Sequence, residues 1–94
     1  MDLKTFRAST NKKKPPKGIP PVLEAMWHQA KGDWDTAHQI AQSQKNPMGN
    51  WAHAYLHRVE GDEGNAAYWY RLSENTFCTS SLDDEWEEIV EQLL

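Results

Sequence analysis

The sequence predicts an all-α chain, with four helices in two hairpins and a fifth, amphipathic helix at the C-terminus that caps them. Three observations carry this expectation. From Pro20 onward apolar residues recur with the period of a helix. Two Gly-Asp pairs, Gly32-Asp33 and Gly61-Asp62, punctuate that pattern with a stop signal followed by a cap signal. The C-terminal segment carries a stripe of Leu82, Trp86, Ile89, Val90 and Leu93 among acidic residues.

The elements follow in order. Residues 1–18 hold six of the ten basic residues, and NKKKPPKG has almost nothing to bury, so a disordered basic arm is expected there. Residues 19–94 form one helical domain. The first helix opens on proline, where a first turn tolerates it, and presents Val22, Leu23, Met26, Trp27 and Ala30 on one face. Gly32 ends it and Asp33 caps the second, whose Trp34, Ala37, Ile40 and Ala41 lie together. Asn46-Pro47 breaks the chain between hairpins at about 20–44 and 48–74. The third helix, near Met48–Glu60, turns Trp51, Ala52, Tyr55, Leu56 and Val59 inward. Gly61-Asp62 repeats the turn, and a fourth helix carries Tyr68, Trp69 and Tyr70. Ser81, three residues before Asp84, marks the start of the capping helix at about 82–94, whose acids are expected to face water.

A shift of 29 residues aligns the two hairpins. Ala25 falls on Ala54, His28 on His57, Gly32 on Gly61, Asp33 on Asp62 and Ala37 on Ala66. Five identities in one register describe one helix-turn-helix unit used twice. The alanines let antiparallel helices approach closely. This pattern resembles a degenerate tetratricopeptide-type hairpin, although the usual bulky residue at the start of each first helix is missing. The segments WHQAKGDWDTAH and HAYLHRVEGDEGNAAYWYR also resemble a group of small, mostly bacterial proteins sharing WHxAKGDWDxAH, to which no reaction is attached. The resemblance implies a fold and, through the habits of helical repeats, a binding role. A protein partner or a second copy of the chain is the partner class it favours.

Composition narrows the remaining classes. A net charge of -4 argues against a protein that coats nucleic acid, leaving only the basic arm as a weak nucleic-acid element. Cys78 stands alone, so no internal disulfide forms and a reducing, cytoplasmic setting is expected. No apolar run is long enough to span a bilayer, and no membrane partner is expected. Cys78 and the serines lack the setting of a nucleophile, and GDEGNA joins helices rather than following a strand. Tyr68, Trp69 and Tyr70 beside Arg58 and Arg71 could stack bases, but at helical spacing they read better as core.

The chemistry concentrates at the second turn. His53 and His57 stand four residues apart, close enough on a helix to share a metal ion, and Glu60 lies on the same face. The HExxH glutamate is missing between them. A third ligand is needed, with His28 favoured as the repeat equivalent of His57, and His38 or Asp62 next. The candidate cluster is therefore His28, His38, His53, His57, Glu60, Asp62 and Asn65, with His53, His57 and Glu60 as metal candidates. The competing reading, that these histidines pack and hydrogen-bond without a cofactor, is preferred because His28 and His57 recur at one repeat position. An interaction module is thus favoured over a metal-dependent or histidine-based enzyme.

Overall fold

A computed structural model describes all residues, 1–94. It contains six helices and no strand: α1 Leu3–Ser9, α2 Pro21–Ala30, α3 Trp34–Ser43, α4 Pro47–Val59, α5 Glu63–Leu72 and α6 Leu82–Leu93. None is long and apolar enough to cross a membrane.

The all-α expectation holds, and its boundaries follow from local chemistry. Asp33 accepts from the backbone N–H of Thr36 at 3.2 Å, and Asp62 from that of Asn65 at 3.2 Å, so each caps the helix it opens. Gly32 and Gly61 adopt φ of 86° and 85°. The following N–H groups, of Asp33 and Asp62, close back on the His28 and His57 carbonyls at 3.0 and 2.9 Å. Both turns therefore end a helix with a left-handed glycine and start the next one at once. Ala25, Ala37, Ala54 and Ala66 are all fully buried, as close helix approach requires.

Successive helices pack on one another from α2 to α5, and α6 lies across α2 and α4. The main core gathers Val22, Leu23, Met26, Trp27, Leu56, Trp86, Ile89 and Val90. Trp86 anchors α6 by donating its indole N–H to the Met26 carbonyl at 2.9 Å. Ser81 accepts from the Asp84 N–H at 3.0 Å and caps α6 as its sequence indicates. The stripe of α6 is docked within the chain, except that Leu82 stays outside, 39% exposed.

Two expectations need correction. The first eighteen residues are not wholly a disordered arm. Residues Leu3–Ser9 form α1, capped by Asp2, which accepts from the Thr5 N–H at 2.8 Å. Phe6 is completely buried against Trp86, with ring centroids 5.9 Å apart. Arg7 reaches Glu87 at 2.7 Å and Asp83 at 3.3 Å across the top of the Trp86 ring. A seven-residue helix is marginal on its own, so docking on α6 supplies its stability. Lys12, Lys13, Lys14 and Lys17 remain exposed.

The second correction concerns the acids of α6. Glu85 is fully buried rather than facing water. Its carboxylate accepts from Arg58 at 2.8 Å, from the Tyr70 hydroxyl at 2.6 Å and from the Trp51 indole at 3.0 Å. One side chain thus joins α6 to α4 and α5. Arg58 also donates to the Ser80 carbonyl. These bonds hold Arg58 and Tyr70 inward, whereas Tyr68 stays 48% exposed.

Candidate metal centre

The helical period of α4 places His53 and His57 one turn apart on the same face. Their rings lie nearly parallel, with centroids 4.8 Å apart. Helix α3 packs across α4 and brings in His38, 4.6 Å from the His53 ring and 5.2 Å from the His57 ring, edge-on to both. One ring nitrogen from each of the three lies within 4.8 Å of the others.

Two tryptophans hold the group in place. Trp34 stacks on His38 at 4.7 Å and donates its indole N–H to the Leu56 carbonyl at 2.7 Å. That bond fixes how α3 is rotated against α4. Trp69, from α5, stacks on His53 at 3.9 Å. The imidazoles therefore sit between two indoles, with His53 and His57 only 4% and 7% exposed and His38 half-buried.

Burial sets the charge state of two of the three. Desolvation, reinforced by the neighbouring His38 and His57 and by Lys45, pulls the pKa of His53 down to about 4. Desolvation followed by His57 lowers that of His38, against a weaker opposing pull from Glu60 and Asp35. Both are neutral at pH 7, the state in which imidazole has a lone pair to give a metal. His53 Nδ1 is buried without any hydrogen-bond partner. An unsatisfied buried polar atom of this kind costs about 1–3 kcal/mol.

His57 has an outer partner. Its Nδ1 lies 2.6 Å from Glu60 Oε1. A carboxylate only accepts, so in the neutral ring the hydrogen sits on Nδ1 and the lone pair on Nε2. Glu60 is placed to orient the His57 ring and is not one of the trio.

The remaining candidates fall elsewhere. His28, the favoured third ligand, ends α2 against the Trp27 ring at 5.2 Å and is not part of the trio. The covering of the His53–His57 face is provided by α3 and α5, and this selects His38. Asp62 is committed to α5, where its carboxylate accepts from the Asn65 backbone and side-chain amides, both at 3.2 Å. With Glu60 it also reaches His57, forming a second and more exposed group. Cys78 contacts the Ser80 hydroxyl at 2.9 Å. The contributions of Trp34 and Trp69 were not foreseen. The four-residue spacing of Trp34 and His38 in WDTAH is the signal that could have exposed the first.

No family model, curated protein or solved structure matches the chain.

Proposed function

We propose that this is a small metal-binding helical protein that holds one divalent first-row ion on His38, His53 and His57. The observation that carries the reading is the convergence of three imidazoles, one of them buried with a ring nitrogen that has no partner. Structural packing explains the burial of those rings but gives that nitrogen nothing to bond. A metal ion bound through His53 Nδ1 would supply the missing partner. Bonds of about 2.0–2.1 Å around a tetrahedral ion separate its ligand nitrogens by roughly 3.3 Å. Reaching that from within 4.8 Å takes side-chain rotations of about 1.5 Å or less, without moving a helix. Three imidazoles suit zinc, copper, nickel or iron, and the absence of thiolate from the trio argues against a closed structural zinc site.

The test is metal content after dialysis against Zn²⁺ or Co²⁺, using protein prepared without a polyhistidine tag. One equivalent is expected, with affinity falling at least about tenfold in Glu60→Gln and stoichiometric binding lost in His38→Ala and His53→Ala. Binding that ignores His38→Ala overturns the assignment, as does no binding at all.

A second reading, a protein-interaction module, draws on a different feature. The hairpins share turns of matching geometry, as stacked helical repeats do, and the outward side of α5 leaves Tyr68 and Leu72 48% and 45% exposed. A protein segment or a second copy of the chain would cover them. Sedimentation of the parent and of Tyr68→Ser with Leu72→Ser tests self-association. A monomer in both cases removes the second copy from this reading.

A further inference from the structure

We propose that the ion held by the three histidines keeps one coordination position open and takes a small anionic oxygen or nitrogen donor there. The inference rests on the metal-binding reading above and concerns what that site does with its ion.

The ligand set is short by one. Within the histidine trio each residue lies near both others, but no carboxylate or thiolate lies near all three. Glu60 and Asp62 approach only His57, in their own separate group. Both are already engaged, Glu60 with the His57 Nδ1 hydrogen and Asp62 with the Asn65 amide that opens α5. A tetrahedral ion on this trio is left with a fourth position that the chain does not fill.

The opening has a direction and a charge. His53 and His57 are buried, whereas His38 is partly exposed, so approach is from the α3 side. Three neutral imidazoles compensate none of the ion's two positive charges. The Trp34 and Trp69 rings further lower the local dielectric, which strengthens the pull on a negative ligand. A neutral donor gains only the coordinate bond, while an anion also gains the charge. A small monoanion, such as a carboxylate or hydroxide, is therefore the favoured occupant. The same position would let the ion acidify a bound water or polarise a carbonyl.

The experiment uses the full chain loaded with Co²⁺, whose visible bands report coordination number and ligand type. Azide is titrated in as the probe anion, on the parent and on Asp62→Asn. Asparagine caps a helix as well as aspartate does, so this variant keeps the α5 start. The expected result is a saturable change in the visible bands at millimolar azide, equal in parent and variant. Spectra indifferent to azide in both would mean that the site is closed, overturning this inference while the metal reading stands. A response seen only in Asp62→Asn would overturn it too, because Asp62 would then be the fourth ligand. Failure of the parent to bind Co²⁺ would remove both readings together.

Discussion

Replacing Glu85 by glutamine removes one charge and almost no volume, which makes it a sharp probe of what holds α6 to the rest of the chain. One carboxylate oxygen serves Arg58, and the other serves both Tyr70 and Trp51. A glutamine has only one acceptor oxygen. If that oxygen faces Tyr70 and Trp51, its amide points at the Arg58 guanidinium. If it faces Arg58, the amide meets the Trp51 N–H donor-to-donor. Either way a donor loses its acceptor. Losing one partner of a buried ion pair costs about 3–5 kcal/mol. Here the loss is softened, because the Arg58 side chain is 16% exposed and keeps its bond to Ser80. An effect of about 2–3 kcal/mol is expected, against a total stability on the order of 5–14 kcal/mol for a chain of this length.

Urea unfolding followed by tryptophan fluorescence measures the effect. The internal control is Glu87→Gln, which breaks an exposed pair with Arg7 and should cost no more than about 1 kcal/mol. The Tyr70 phenol offers a second readout. Burial, followed by its bond to Glu85, raises its pKa well above the ordinary value, so the variant should ionise more readily in alkali. If Glu85→Gln proves no more destabilising than Glu87→Gln, the buried carboxylate does not organise this junction.

Other perturbations test separate links. At Gly61 an added Cβ would meet no atom within 4 Å, so the loss of about 1–3 kcal/mol expected for Gly61→Val comes chiefly from the left-handed backbone, and unchanged urea stability would contradict it. Gly49→Ala should destabilise by a different route, because its methyl group would collide with the Gln44 backbone at the start of α4. A variant as stable as the parent would show that this approach can relax. For the metal-free chain, His53 has a folded pKa below its unfolded value of 6.5. The unfolded chain then binds more protons between 6.5 and about 4, so stability is highest above that window and falls as pH drops through it, by at most about 3 kcal/mol. A His53→Phe variant should lose most of that slope in urea titrations repeated across the pH range, and an unchanged slope would assign it to other groups.

What could be read from sequence was what short stretches decide for themselves. Asp33, Asp62 and Ser81 cap their helices through atoms three residues away, and Gly32 and Gly61 declare their conformation by composition alone. Helix α1 escaped because seven residues with Leu3, Phe6 and Ala8 as their apolar side chains are too few to show a period, and its reason to fold lies on α6. Glu85 escaped because nothing in DDEWEE separates it from its neighbours. Its burial is decided by donors that α4 and α5 bring to it.

The histidine centre lies between these cases. The pairing of His53 with His57 is local to α4 and visible as a spacing. The third member depends on which helix crosses that face, and the 29-residue register pointed to His28 because it equates positions without saying which ones meet. Contact is decided instead by the Trp34 indole, whose bond to Leu56 turns α3 so that His38, one helical turn further on, faces α4. Shifted by the same 29 residues, Trp34 falls on Glu63 and His38 on Ala67, so α5 carries neither the tryptophan nor the histidine at those positions. The two Gly-Asp turns share one geometry, and the residues outside the 29-residue match, Trp34 and His38, are the ones that complete the trio where α3 meets α4.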